Sequence, residues 1–288
     1  MKRIAILIML VALISGAASG ASVRKKTVRG TRAEQPAAAP ASDFDRALEA
    51  YCNDDLATAS TAIDRHLKSH PNDAYGWTCL AAINSELDND HQALQAIEKA
   101  RACHLDQNDA AMLNWMYFTQ STVHLQTQDT ISAIEDLNMA LKCDNKDVDS
   151  YMRRGNIFKR LRRFDEAMVD YGMAVQLSPK EVEGYLGLGT VAGSLGKRKD
   201  AIKAFSMAIK LEPDVAECYA LRAVEYYNDW DYSKAVKDVI TALELEKDNT
   251  RALWVLEYLK RDAPEVVQKE FNNKAKKTKD PSWLEIIE

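Results

Sequence analysis

The chain has 288 residues, 38 Lys+Arg against 43 Asp+Glu, and a formal charge of −5. With 47% hydrophobic and 28% charged residues, global disorder is excluded, and 11 Gly with 7 Pro are too few for a turn-rich all-β fold and favour helices. The mild acidity argues against nucleic acid as a partner.

Met1, Lys2 and Arg3 make a basic start, residues 4–14 (IAILIMLVALI) are unbroken apolar, and residues 15–21 (SGAASGA) are all small. These are the three parts of a secretory signal peptide, with cleavage expected after Ala18 or Ala21. The alternative is a retained anchor, since residues 4–23 are uncharged and long enough to span a bilayer. Export is therefore expected, to a bacterial periplasm or envelope first, with a secreted or membrane-anchored protein as alternatives. No Cys lies nearby to carry a lipid. Residues 22–42 hold a basic cluster (Arg24, Lys25, Lys26, Arg29, Arg32) and then a Pro/Ala-rich stretch. They are expected to form a tether, either solvated or touching an anionic surface. Membrane contact is expected only through this N-terminal segment.

From about Asp43 to residue 262 the chain repeats with a period of 34. Pro179 and Pro213 stand one period apart, as do Gly155 and Gly189, Tyr151 and Tyr185, Ala167 and Ala201, and Ala174 and Ala208. Frames at 148–181, 182–215 and 216–249 are in register. Ala74 opens an earlier frame (74–107) with Trp77, Leu80, Ala81, Ala93, Ile97 and Ala100, and Asn114 another (114–147) with Tyr117, Ser121, Ala133, Leu137 and Ala140. Between them residues 108–113 are an insert, expected to lengthen the first helix of its repeat. A degenerate copy at 43–73 keeps Ala47, Ala59, Ile63 and Pro71, and a partial frame at 250–262 keeps Leu253 and Leu256 before Glu257 breaks the pattern.

A bulky fourth residue, a small eighth, Ala at the twentieth and twenty-seventh places and Pro at the thirty-second resemble the tetratricopeptide repeat family. The resemblance implies an all-α fold, a right-handed α-solenoid of stacked helix-turn-helix repeats. Ala81, Gly155, Gly189 and Ala223 are expected where the first helix of a repeat crosses the second, with Ala167, Ala174, Ala201, Ala208, Ala235 and Ala242 playing the same part on the second helix. Tyr151, Tyr185, Tyr219, Phe158, Tyr171 and Phe205 are expected to fill the gaps between helices. One repeat cannot cover its own apolar face, so neighbours must stack.

The resemblance also implies a concave groove lined by the first helices, at the second, fifth, ninth, twelfth and thirteenth places of each frame. Here these include Tyr75, Trp115, Phe118, Asp149, Met152, Asn156, Lys159, Glu183, Leu186, Thr190, Glu217, Tyr227, Asn228 and Trp254. Trp115, Phe118, Tyr227 and Trp254 lie outside the packing places and are candidate anchors for a partner segment. For Trp115 and Phe118 packing against the extra turn of the insert is an equal alternative. The Lys/Asn/Arg clamp by which some family members hold acidic C-termini is absent, because only Asn156 fits it. The expected partner is another protein or peptide segment, of unknown identity.

Other motifs point to no chemistry. Cys103 and Cys143 occupy equivalent places in adjacent repeats, too far apart to bridge, and Cys52, Cys79 and Cys218 have no evident mates, so free thiols, buried or nearly so, are expected. His66 and His70, four apart, lack further metal ligands. Gly184, Gly187 and Gly189 fall inside an expected helix and make no dinucleotide loop. Arg153, Arg154, Lys159, Arg160, Arg162 and Arg163 form the densest basic cluster, a solvated turn or else an anion site. Pro264 is expected to open a polar terminal helix, and residues 280–288, with Trp283, Leu284, Ile286 and Ile287, to dock on the last repeat, hang loose and bind elsewhere, or plug the groove. No catalytic residue, cofactor or metal site is expected. The favoured function is an exported non-catalytic scaffold, with a self-assembling structural module and a membrane-anchored adaptor as alternatives.

Overall fold

The computed structural model describes residues 42–103 and 109–287. The signal segment and nearly all of the tether lie outside the described residues. Among the described residues there are fifteen α-helices and no strand. The chain divides into two compact units, Met1–Asn145 and Lys146–Glu288.

In the first unit, α1 (Asp43–Cys52) pairs with α2 (Leu56–Ser69), α3 (Ala74–Glu86) with α4 (Asp90–Ala102), and α5 (Ala110–Gln126) with α6 (Thr130–Cys143). In the second, α7 (Val148–Arg160) pairs with α8 (Phe164–Leu177), α9 (Val182–Ser194) with α10 (Arg198–Leu211), and α11 (Ala216–Asn228) with α12 (Tyr232–Leu245). α13 (Thr250–Asp262), α14 (Pro264–Thr278) and the short α15 (Ser282–Glu285) follow. Within each unit the hairpins stack, the second helix of one pair against the first helix of the next.

Local chemistry sets these boundaries. Asp side chains at 55, 73, 109, 129, 147 and 231 accept backbone N–H bonds at the starts of their helices, satisfying donors that the helix itself leaves orphaned. Between the helices of each pair one residue takes the left-handed conformation: Asp54, Asp88, Gln128, Arg162, Gly196 and Trp230. The turn ending one helix and starting the next is thus the same six times. The insert extends α5 to 17 residues against 13 for α3, α7, α9 and α11, one extra turn at its start.

The small residues lie where helices press together. A Cβ on Gly155 would stand 3.2 Å from Cβ of Asp170 and 3.4 Å from the Tyr171 ring, and one on Gly189 would stand 2.6 Å from the Phe205 ring. Ala81, Ala167, Ala174, Ala201, Ala208, Ala223, Ala235 and Ala242 are all buried. Tyr171, Phe205, Phe158 and Tyr185 are buried around them, and Tyr151 and Tyr219 partly so. The repeat prolines have a further partner. Trp77 Nε1 donates to the carbonyl of Pro71 (2.8 Å), Tyr185 to Pro179 (3.3 Å) and Tyr219 to Pro213 (3.1 Å). The bulky fourth residue therefore pins the preceding turn by its polar tip as well as its ring.

Three buried carboxylates hold the hairpins internally. Asp170 receives Arg154 in a two-point bond (2.9 and 2.7 Å), Asp238 receives Arg222 likewise (2.7 and 2.8 Å), and Asp136 meets His124 Nδ1 at 2.7 Å. Burial raises the Asp238 carboxyl, and the Arg222 bonds pull it down without overcoming burial; the same bonds raise Arg222. Arg154 therefore does not belong to a solvated basic turn. The remaining cluster is also engaged in part: Arg163 pairs with Glu166 at 2.7 Å and lies 4.5 Å over the Phe158 ring.

Pro264 is the first residue of α14, where its missing N–H costs nothing. Val267, Phe271 and Ala275 of α14 join the core of α11, α12 and α13. Trp283 packs against Phe271 (6.2 Å between rings) under the ammonium of Lys274 (5.1 Å). The tail is therefore neither loose at Trp283 nor a plug: it seats on α14, in the core that α14 shares with the last hairpin.

Candidate functional site

The sequence-predicted anchors part ways. Trp115 is 9% exposed and packs in the core of α1–α3, its ring 6.3 Å from that of Tyr75. Phe118 is 7% exposed. Neither is an exposed anchor: the extra turn starts α5 earlier, so Trp115 sits inside its helix instead of at its edge. Tyr75 is half-buried and donates its hydroxyl to Asp109 (2.9 Å), and burial followed by that bond raises its pKa well above the ordinary value.

In the second unit Met152, Lys159, Leu186 and Thr190 are half-buried and Asn156 is exposed. Asn156 accepts the Tyr171 hydroxyl (2.8 Å), Lys159 stands 5.8 Å over the Tyr171 ring, and Thr190 bonds back to Leu186 (2.7 Å). These residues brace α7 and α9 and offer few free groups.

Tyr227 and Trp254 differ, because the structure joins them into a larger array. Trp254 and Tyr258, one turn apart on α13, have rings 4.5 Å apart. Tyr258 meets Tyr227 of α11 at 6.1 Å, Tyr227 meets Tyr232 of α12 at 5.8 Å, and Tyr232 meets Trp230 at 6.0 Å. Five aromatic rings thus form one continuous ladder across three helices. Its two ends are open, with Trp230 76% and Trp254 52% exposed. Its middle is fixed by the Tyr227 hydroxyl on Asp262, whose carboxyl the Arg261 guanidinium and then Tyr227 hold at about 2. Asn228, beside the ladder, is exposed.

Trp230 has φ 64°. Gly196 holds the same turn place one repeat earlier with φ 70°, and Asp54, Asp88, Gln128 and Arg162 hold it in the other hairpins. A bulky residue there stores on the order of 1–3 kcal/mol of strain. The indole itself is largely solvent-exposed.

Beside this turn, Glu225 is 8% exposed, and its carboxylate fills the space that a side chain on Gly193 of α9 would take. Its Oε2 has no hydrogen-bond partner, and burial raises its pKa against the weaker pull of Arg198. Trp230, Tyr232, Tyr258 and Glu225 are all absent from the sequence-derived groove. Tyr258 had a signal, since it stands at the ninth place of the partial frame; the other three stand at places where the repeat pattern puts no groove residue.

The remaining motifs form no centre. All five cysteines are free, with Cys79, Cys103 and Cys218 buried and Cys52 and Cys143 partly so. Burial pushes the Cys79 thiol up to about 12 and the Cys218 thiol to about 11. His66 stacks on His70 and its Nε2 lies 2.6 Å from Asp73. Among the described residues no group of three or more His, Cys, Asp and Glu is placed to hold a metal, and no helix is long and apolar enough to cross a membrane.

The comparisons agree with this architecture. Residues 148–181 and 182–215 match the tetratricopeptide repeat family model. Among solved structures, YrrB, described as a TPR protein with an unusual peptide-binding site, superposes with a TM-score of 0.60 at 20% identity, covering 69% of this chain and 100% of its own. The C-terminal part of a TPR repeat-containing protein from Cytophaga hutchinsonii gives 0.66 at 16% identity, covering 85% of this chain and 99% of its own. MamA from Desulfovibrio magneticus RS-1 gives 0.53 at 16% identity over 61% of this chain and 96% of its own. No curated protein matches the sequence. At such identities the likeness is one of fold, an α-solenoid of stacked helical hairpins, and the tetratricopeptide repeat match itself is confined to residues 148–215.

Proposed function

We propose that the protein is an exported, non-catalytic scaffold that holds a segment of another protein on the first-helix face of its second unit. The observation that carries this is the aromatic ladder from Trp254 to Trp230. Rigid, amphipathic rings with open faces are the side chains that anchor partners with least ordering cost. The tail does not compete for them, because Trp283 is buried on α14. YrrB, the similar fold described with a peptide-binding site, lends the reading support by analogy only. Export to a bacterial periplasm or envelope rests on residues 1–21, which lie outside the described residues, and a role in envelope assembly or secretion is what the family resemblance suggests.

The test is site-specific photocrosslinking in the source cells. A benzophenone amino acid at position 254, on the ladder, is expected to capture a discrete protein adduct. The same group at Gln268, on the exposed polar face of α14, is expected to capture none. Equal capture from both positions, or none from 254, removes the proposed surface.

A further inference from the structure

We propose that the hairpin of α5 and α6 is a pH-sensitive joint in the first unit, locked while His124 is charged and loosened as it loses its proton. This inference is independent of the partner-binding reading above.

Three frames carry an acid at their twenty-third place: Asp136, Asp170 and Asp238. All three are buried. In two of them the seventh residue of the same frame, Arg154 or Arg222, reaches across the hairpin in a two-point bond. In the third frame the seventh residue is Gln120, which accepts from Arg101 of α4 (2.6 Å). The acid is met instead by the eleventh residue, His124, whose Nδ1 lies 2.7 Å from Asp136 Oδ2. Phe158 and Tyr226 stand at that place in the other two frames. One position in the hairpin is thus closed by a guanidinium twice and by an imidazole once. A guanidinium stays charged at any pH a folded protein meets. A histidine side chain ordinarily changes charge between about pH 5 and 8.

The surroundings leave the lock to His124. Burial raises the Asp136 carboxyl, His124 and then Arg101 pull it down, and Glu135 of α6 pushes it up. His124 also acts on Asp129, in the turn between the two helices. It is the basic residue in the last turn of α5, where the helix dipole favours positive charge. Two residues on, Gln126 is bonded by both atoms of its amide to the hydroxyl and carbonyl of Ser85 of α3 (2.7 and 2.8 Å). The turn that carries the imidazole therefore also ties α5 to the preceding hairpin.

The sign follows from the charges. An imidazolium beside a buried carboxylate stabilises the folded chain, so the contribution is present at lower pH. A neutral imidazole keeps the hydrogen bond without the charge, so the contribution is lost as the pH rises. The raised Asp136 carboxyl adds a loss of the same sign that begins above its ordinary 3.8.

The experiment is amide hydrogen exchange of the full chain at about pH 6 and about pH 8, with rates corrected for their intrinsic pH dependence. Protection of α6 is expected to fall about tenfold between the two. Gln120→Arg with His124→Phe copies the Arg154, Phe158 and Asp170 arrangement, and is expected to reduce that fall to less than about twofold. If that variant does not fold, His124→Gln with Asp136→Asn keeps a hydrogen-bonded pair without charge and is expected to flatten the response equally. The reference is α12, since all five histidines lie at positions 66–124. The same pH response of α6 in wild type and in the folded variant overturns the proposal. So does an equal fall in α6 and α12, or a fall confined to α2, which belongs to the His66–Asp73 pair (2.6 Å).

Discussion

Gly189 of α9 lies so close under Phe205 of α10 that a Cβ there would reach within 2.6 Å of the ring. The hairpin is closed at its crossing point by the absence of a side chain. Gly189→Leu is therefore expected to destabilise the fold by about 1–3 kcal/mol through overpacking. Gly172, inside α8 with nothing within 4 Å of its missing Cβ, is the control. Gly172→Ala is expected to stabilise by about 0.5–1 kcal/mol. Urea denaturation of the two variants measures the contrast.

Arg222 and Asp238 form a two-point ion pair inside one hairpin, and Arg222 also reaches Ser206 of α10 (3.0 Å). Removing one partner leaves a buried charge alone, so Arg222→Ala is expected to cost about 3 kcal/mol. The repeat at 182–215 carries Leu188 and Ala204 at the equivalent places. Arg222→Leu combined with Asp238→Ala is accordingly expected to recover most of that loss. A double-mutant cycle by chemical denaturation gives the coupling.

That pair also shows what the sequence made legible. The hairpins were readable because Gly155, Gly189 and the alanines recur at a fixed spacing, and close packing leaves room only for small residues at a crossing. The longer α5 was readable from the insert. The Arg–Asp pairs were readable in principle: residues 154 and 170, and 222 and 238, are matched in two frames and replaced together in the frame between. The ladder was only partly so. Tyr227 and Trp254 follow from the frame, but Trp230 sits at a turn place where a side chain is disfavoured, and no periodic rule points to it. For Trp115 the sequence left packing and binding equally open, and the structure buries it, because the insert starts α5 one turn earlier.

Burial raises the Glu225 carboxyl above its ordinary 4.5. At lower pH the folded and unfolded chains both hold the proton. As the pH rises through 4.5 the unfolded chain releases it first, so this group's contribution to stability is lost until the pH passes the raised folded value. Glu225→Gln removes that loss. The stability difference between variant and wild type is expected to shift in favour of Gln as the pH rises above the ordinary glutamate value, as read by denaturation midpoints at each pH. A constant difference contradicts the assignment.

Cys79 and Cys218 are buried, with thiols pushed up to about 12 and about 11. The thiolate is the reactive form, so iodoacetamide at mildly alkaline pH is expected to spare both in the folded protein and to modify them after unfolding. Cys143, which is partly exposed, is expected to react in the folded state. Mass spectrometry of the peptides distinguishes the sites.

Trp230 ends the ladder from a left-handed turn, and Trp230→Gly compared with Trp230→Ala separates its part in binding from its backbone strain. Both remove the indole; only Gly relieves the left-handed backbone. The Gly variant is expected to be about 1 kcal/mol more stable than the Ala variant, with the adduct captured from position 254 lost in both. Equal stability of the two, or undiminished capture without the indole, would contradict that account of Trp230.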